Sequence, residues 1–176
     1  MKSIATILMA VGLLLAAAAA ATQKASAAPK AKANSIDIDY VEPKLAANQA
    51  VYKLVKEQQG LEKIRDLLSP LRLPHRLLLQ TRDCEGTSNA FSNEDSVIVC
   101  YEYLNDIWKS VPEKTTPGGV APIDALIGPF MDVFLHEAGH AVFASLKIPL
   151  FGREEDAADQ SSATSSRKAF CRRTAP

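Results

Sequence analysis

His136-Glu137-Ala138-Gly139-His140 places two imidazoles and a carboxylate within five consecutive residues. Four residues of α-helix turn through roughly 400°, so positions i and i+4 project from nearly the same face. His136 and His140 can therefore point at one metal ion, with Glu137 beside them to take a proton from water. Zinc suits such nitrogen ligands, and a catalytic zinc site usually has three protein ligands and one position left for water. The third ligand must come from elsewhere. Glu155-Asp156-Ala157-Ala158-Asp159 offers one, with Glu155 and Asp159 again four apart. Glu155 could complete a His, His, Glu set, and Asp159 could accept a hydrogen bond from the far nitrogen of a ligand histidine and fix its tautomer.

H-E-x-x-H alone also arises on ordinary amphipathic helices, with both histidines on a solvated face. The apolar setting of 130–135 and 141–143 argues against that here, as does the nearby E-x-x-x-D. The elements that must position these groups are legible around them. A helix begins near Asp124 and is interrupted at Gly128-Pro129. Pro129 suits the first position of the helix that carries the motif to about Leu146. Gly139 keeps one side of it slim, so that another backbone or a substrate can approach closely. Pro149 and Gly152 set a turn, and Glu154, Glu155 and Asp156 open the next helix, where its dipole favours negative charge. For Glu154 and Asp156 that is the whole role the sequence assigns.

Upstream, residues 36–41 alternate apolar and acidic side chains at period two, which predicts a strand with one buried face. Apolar residues at helical spacing predict a helix over 45–68, broken or bent at Gly60. Residues 71–80 read as a buried strand after a turn, and 96–104, rich in β-branched and aromatic residues, as another. Tyr101 and Tyr103 belong to that strand, as sheet-face residues or at the rim of a cleft. His75 reads as a rim residue, with an oxyanion-stabilising role the sharper alternative. The segment 111–122, with its prolines and Gly118-Gly119, reads as a loop.

The 176 residues are 47% hydrophobic and 23% charged, ordinary for one globular domain. Twenty basic and twenty acidic residues give a net charge of zero, and so no electrostatic reason to expect nucleic acid or an anionic membrane surface. Lys2, the apolar run 4–21 and Ala25-Ser26-Ala27 fit a secretory signal peptide over 1–27, against the alternative of an uncleaved membrane anchor. A flexible lead-in over 28–34 follows. The chain is therefore expected to be exported, periplasmic or secreted, without stable membrane association once the signal is removed. In an exported chain Cys84 and Cys100 read as a disulfide rather than free thiols.

The passage 132–160, with HEAGHAVF and then GREEDAADQ, resembles the bacterial exported metallopeptidases of the small gluzincin type. The Cys84 region, Asn89-Ala90-Phe91 and the segment ending Cys100-Tyr101-Glu102-Tyr103 are also similar to that family. The resemblance covers 36–160. It implies His136, His140 and Glu155 as zinc ligands, Glu137 as general base and acid, and Asp159 as the partner that orients a ligand. It implies an α+β, zincin-like fold, in which a small mixed sheet packs on helices and the H-E-x-x-H helix lies beneath an edge strand. The implied activity is hydrolysis of a peptide or protein, the substrate lying extended against strand 96–104. A metal-binding module without turnover, or a non-functional truncated chain, is the alternative.

That alternative comes from the C-terminus. Residues 161–166 are polar and of low complexity, and Arg167, Lys168, Arg172 and Arg173 are basic with no acidic counterweight. The sequence predicts a catalytic domain over 35–160 and a disordered tail over 161–176, a frameshifted or truncated version of a longer family C-terminus. Glu155 and Asp159 would then lie in a frayed last turn.

Overall fold

A computed structural model describes residues 35–174, with side chains to Arg167. The expected signal peptide and lead-in fall outside the described residues. The fold is α+β, with a four-stranded mixed sheet in the order β1-β2-β4-β3 packed on helices. The strands are β1 (Ile36–Tyr40), β2 (Leu77–Arg82), β3 (Ala90–Asn93) and β4 (Ser96–Cys100). β1 and β4 flank β2 in parallel, and β3 joins β4 as an antiparallel hairpin. Asn93 closes the hairpin: its Oδ1 accepts the amides of Asp95 and Ser96 at 2.9 and 2.8 Å, the usual way an asparagine side chain nucleates a turn. β3 is thereby an edge strand with one side unpaired.

Alternation assigns the two faces. Ile36, Ile38, Leu77, Leu79, Thr81, Val97 and Val99 share one face through the strand register, and the last five of these are fully buried. Asp37, Asp39, Gln80, Ile98 and Phe91 share the other, and none of them is fully buried. The run Leu77-Leu78-Leu79 is thus a half-buried strand, its leucines dividing between core and outer face.

Helices α1 (Gln49–Glu57) and α2 (Gly60–Leu68) lie where helical spacing is expected, but the break is at Gln59, which takes the left-handed conformation at φ 52°. Gly60 has a different task. A Cβ there would lie 2.7 Å from the Phe130 ring and 2.9 Å from Val55, so the missing side chain lets Phe130 enter the core. The expected strand 96–104 is also corrected, because it ends at Cys100 and α3 (Tyr101–Lys109) begins at once. Tyr101 and Leu104, at i and i+3, are both fully buried, a helical pairing that strand propensity does not anticipate. The Tyr101 hydroxyl donates to the Val41 carbonyl and contacts Thr81 Oγ1, each at 2.9 Å. β4, paired with β2 on one side and β3 on the other, is internal to the sheet and cannot offer its backbone to a peptide.

α4 (Pro122–Leu146) runs unbroken through Gly128-Pro129, correcting the expected interruption. Pro129 forfeits one helical hydrogen bond, a cost that tertiary burial of Leu126, Phe130, Phe134, Leu135, Ala138 and Ala141 on the same helix offsets. α4 packs against the core face of β3 and β4. α5 (Glu154–Thr174) then docks along α4 and continues well past Asp159, so the expected frayed turn and disordered tail are overturned over the described residues. The reason is the kind of contact. α5 offers α4 small side chains rather than large apolar ones, with Ala158 and Ser162 buried and the Ser162 hydroxyl bonded to Asp132. Gly139 supplies the space. A Cβ there would lie 2.6 Å from Ser161 Oγ and 3.4 Å from the Ala158 Cα.

Candidate metal centre

Two helices and one strand build the site. α4 projects His136, Glu137 and His140, the first turn of α5 brings Glu154 and Glu155, and β3 contributes Ser92; all line one open cavity of about 370 Å³. His136 Nε2 and His140 Nε2 are 3.2 Å apart. Glu155 Oε2 lies 3.2 Å from the first and 3.4 Å from the second. Each imidazole is oriented from behind: His136 Nδ1 is 2.8 Å from Asp159 Oδ1, and His140 Nδ1 is 2.8 Å from Glu154 Oε1.

These partners set the proton positions. A carboxylate only accepts, so each Nδ1 carries a hydrogen, and in the neutral tautomer each ring turns an unprotonated Nε2 inward. Two nitrogen lone pairs and a carboxylate oxygen then converge with no donor among them. Such an arrangement is repulsive unless a cation sits between them, and it is a group that could hold a metal ion. For His140, burial works against the charged form, but the Glu154 hydrogen bond and the charges of Glu155 and Glu137 outweigh it and leave the pKa raised. Glu137 stands beside this triangle. Its Oε2 accepts a 2.8 Å hydrogen bond from the Ser92 hydroxyl, which ties it to the edge strand.

The sequence-derived residues thus meet: His136, His140 and Glu155 form the convergent group, with Glu137 adjacent and Asp159 behind His136. Glu154 has the role that sequence reasoning missed, holding the second histidine as Asp159 holds the first. The available signal is that two histidines on one helix face call for two orienting partners, of which Asp159 supplies only one. Ser92 carried no local signal, because only the hairpin register brings it over α4. His75 is exposed and lies outside the cavity; Tyr101 is buried in the core and Tyr103 packs against it, so neither tyrosine reaches the cleft.

A second cluster, Cys84, Cys100 and Glu102, could be mistaken for a metal site. Its sulfurs are joined in a disulfide, as the sequence suggested. Glu102 is occupied in accepting the amides of Cys84 and Gly86. With its thiolates consumed, this cluster is a staple.

A protein family described as "Putative metallopeptidase" matches residues 40–169, most of the chain. The chain belongs to that family. Ser92, His136, Glu137, His140, Glu154, Glu155 and Asp159 all fall within the matched stretch. Comparison with curated proteins found no match, and neither did comparison with solved structures.

Proposed function

We propose that this chain is an exported zinc peptidase of the gluzincin type, hydrolysing peptide bonds in a peptide or protein substrate. The observation that carries the reading is the donor triangle. A tetrahedral zinc with bonds of about 2.0–2.1 Å sets its donors roughly 3.3–3.4 Å apart. The three separations here are 3.2, 3.2 and 3.4 Å. His136, His140 and Glu155 would hold the ion, and a nitrogen-rich, thiolate-free set suits zinc.

Bound there, zinc would supply a Lewis acid for the scissile carbonyl and for the attacking water. The remaining work belongs to this chain. Glu137 takes a proton from the water as it attacks and delivers it to the departing amine nitrogen. Ser92 holds one oxygen of Glu137, which lines the cleft, so the base is held in place before substrate arrives. Asp159 and Glu154 keep both imidazoles in the tautomer that presents Nε2. The unpaired edge of β3, which borders the same cavity, is where an extended peptide would add as a further strand.

Export is supported by the Cys84–Cys100 disulfide and by the apolar N-terminal run with its small-residue cleavage site. Among the described residues no helix is long and apolar enough to cross a membrane. The balanced charge gives no support for a nucleic-acid partner.

The test is the zinc content of the purified chain lacking residues 1–27, followed by cleavage of an unstructured protein. About one zinc per chain is expected, with hydrolysis lost in Glu137→Gln while zinc is kept. Zinc without Glu137-dependent cleavage would reduce the protein to a metal-binding module, and absence of zinc from a folded sample would overturn the reading.

A further inference from the structure

The outer face of the sheet borders a second cavity, of about 420 Å³. Arg82, at the end of β2, lines it and reaches across β4, placing its guanidinium 5.6 Å from the centre of the Phe91 ring on β3. The Arg82 Nε is buried without a hydrogen-bond partner. A buried donor of that kind is costly unless water or a ligand meets it. Of the neighbouring carboxylates, Asp83 and Glu102 are engaged elsewhere, while Glu85 also lines the cavity. Asp83 accepts the amides of Lys44 and Leu45 and the side chain of Asn48, and Glu102 accepts the amides of Cys84 and Gly86. Glu85 is exposed on the loop that follows.

Phe91 lines both this cavity and the metal cleft, so the two are neighbours along β3. A peptide added to the free edge of β3 sends alternate side chains to opposite faces of the sheet. The residue beside Phe91 would turn its side chain to the outer face, within cross-strand reach of the Arg82 guanidinium. Phe91 supports that cation, and no ion pair to its terminal nitrogens is seen among the described residues, so they can grip a carboxylate with two hydrogen bonds.

We infer that Arg82 and Phe91 form a subsite for a carboxylate of the bound peptide, carried on an acidic side chain or at the C-terminus. The inference rests on the peptidase reading for the course of the peptide, while the charge preference comes from the cavity itself. The experiment measures peptide binding to zinc-loaded Glu137→Gln, so that no turnover is needed. One series carries Glu or Gln at successive positions with an amidated C-terminus. A second is neutral, with a free or an amidated C-terminus.

At one position, Glu is expected to bind roughly tenfold tighter than Gln, or the free terminus roughly tenfold tighter than the amide, as loss of one charge-assisted pair implies. Which series responds names the source of the carboxylate. Adding Arg82→Gln should erase the preference, and Arg82→Glu should transfer it to Lys-containing peptides, a gain that misfolding cannot mimic. Equal binding in both series by the Arg82 protein would overturn the subsite alone, with Arg82 then satisfied by Glu85 or water. Failure to bind any peptide would overturn the subsite together with the peptidase reading.

Discussion

Gly139 should decide whether the metal centre forms, although it contacts no metal. A Cβ added there would lie 2.6 Å from Ser161 Oγ, 3.4 Å from the Ala158 Cα and 3.6 Å from the Ala158 Cβ. For Gly139→Ala, the Ser161 hydroxyl can swing aside and forfeit its 2.8 Å hydrogen bond to the Ala158 carbonyl. That loss is about 1 kcal/mol, and the helix propensity of alanine over glycine returns about as much. Stability and metal affinity should stay near those of the parent. Gly139→Leu adds carbons where the α5 backbone already sits, and no rotamer of a neighbour makes room. α5 must move outward. His136 and His140 ride on α4, whereas Glu155, Asp159 and Glu154 ride on α5, so the shift opens the donor triangle and withdraws both orienting carboxylates. Removing one such partner typically weakens a metal roughly 10- to 100-fold, and here a ligand goes with them. The loss should exceed about 100-fold. Competition with a chromogenic chelator measures it, and far-UV circular dichroism with urea unfolding shows whether the sheet and the other helices persist. A folded Gly139→Leu protein that binds metal as tightly as the parent would refute the argument that the docking of α5 completes the site.

Three further outcomes are expected. Glu154→Gln and Asp159→Asn should each weaken metal binding roughly 10- to 100-fold; a Glu154→Gln protein with parental affinity would return that residue to a mere helix-terminal charge. Ser92→Ala should lower kcat roughly tenfold through loss of one hydrogen bond to a charged group, with metal affinity unchanged, and a drop in metal content instead would show that Ser92 acts on the fold. At Asp83, burial works against the carboxylate, yet hydrogen bonds from Asn48, Leu45 and Lys44 outweigh it and hold its pKa low. A lowered folded pKa means stability that is present above the ordinary aspartate range and lost as pH falls through the folded value. Asp83→Asn should therefore destabilise the chain to urea at neutral pH, with the gap closing below about pH 4; a gap unchanged in acid would remove the ionic part of the explanation.

How much of this was legible depended on the distance over which each contact acts. Helical spacing alone put His136 and His140 on one face, and the same spacing linked Glu155 to Asp159. Both pairs are local, set by the pitch of one helix. The reading of 101–104 as strand failed because the choice lies in long-range contacts: Tyr101 is held by Val41 and Thr81, far away in the chain. The break at Gly128-Pro129 failed for a related reason, since burial of the neighbouring turns outweighs one lost hydrogen bond. At Gly60 the sequence announced only a break in the helix, and at Gly139 that a glycine leaves space for something to come close. It could not say that Phe130 fills the space at Gly60 and Ser161 borders that at Gly139.

The sequence by itself determined the chemistry: which side chains can ligate, which can move a proton, which cysteines can pair, and which strand faces are apolar. Those are properties of residue type and of the helix and strand periods. Only the tertiary structure decided that the polar run after Gln160 continues α5. Its small side chains bury well against the slim side of α4, although they carry no apolar pattern to announce it. The same packing chose Glu154 as the partner of His140, and the hairpin register chose Ser92 as the partner of Glu137. Each is a contact between elements distant in sequence, fixed by the mutual placement of packed backbones that no local rule specifies.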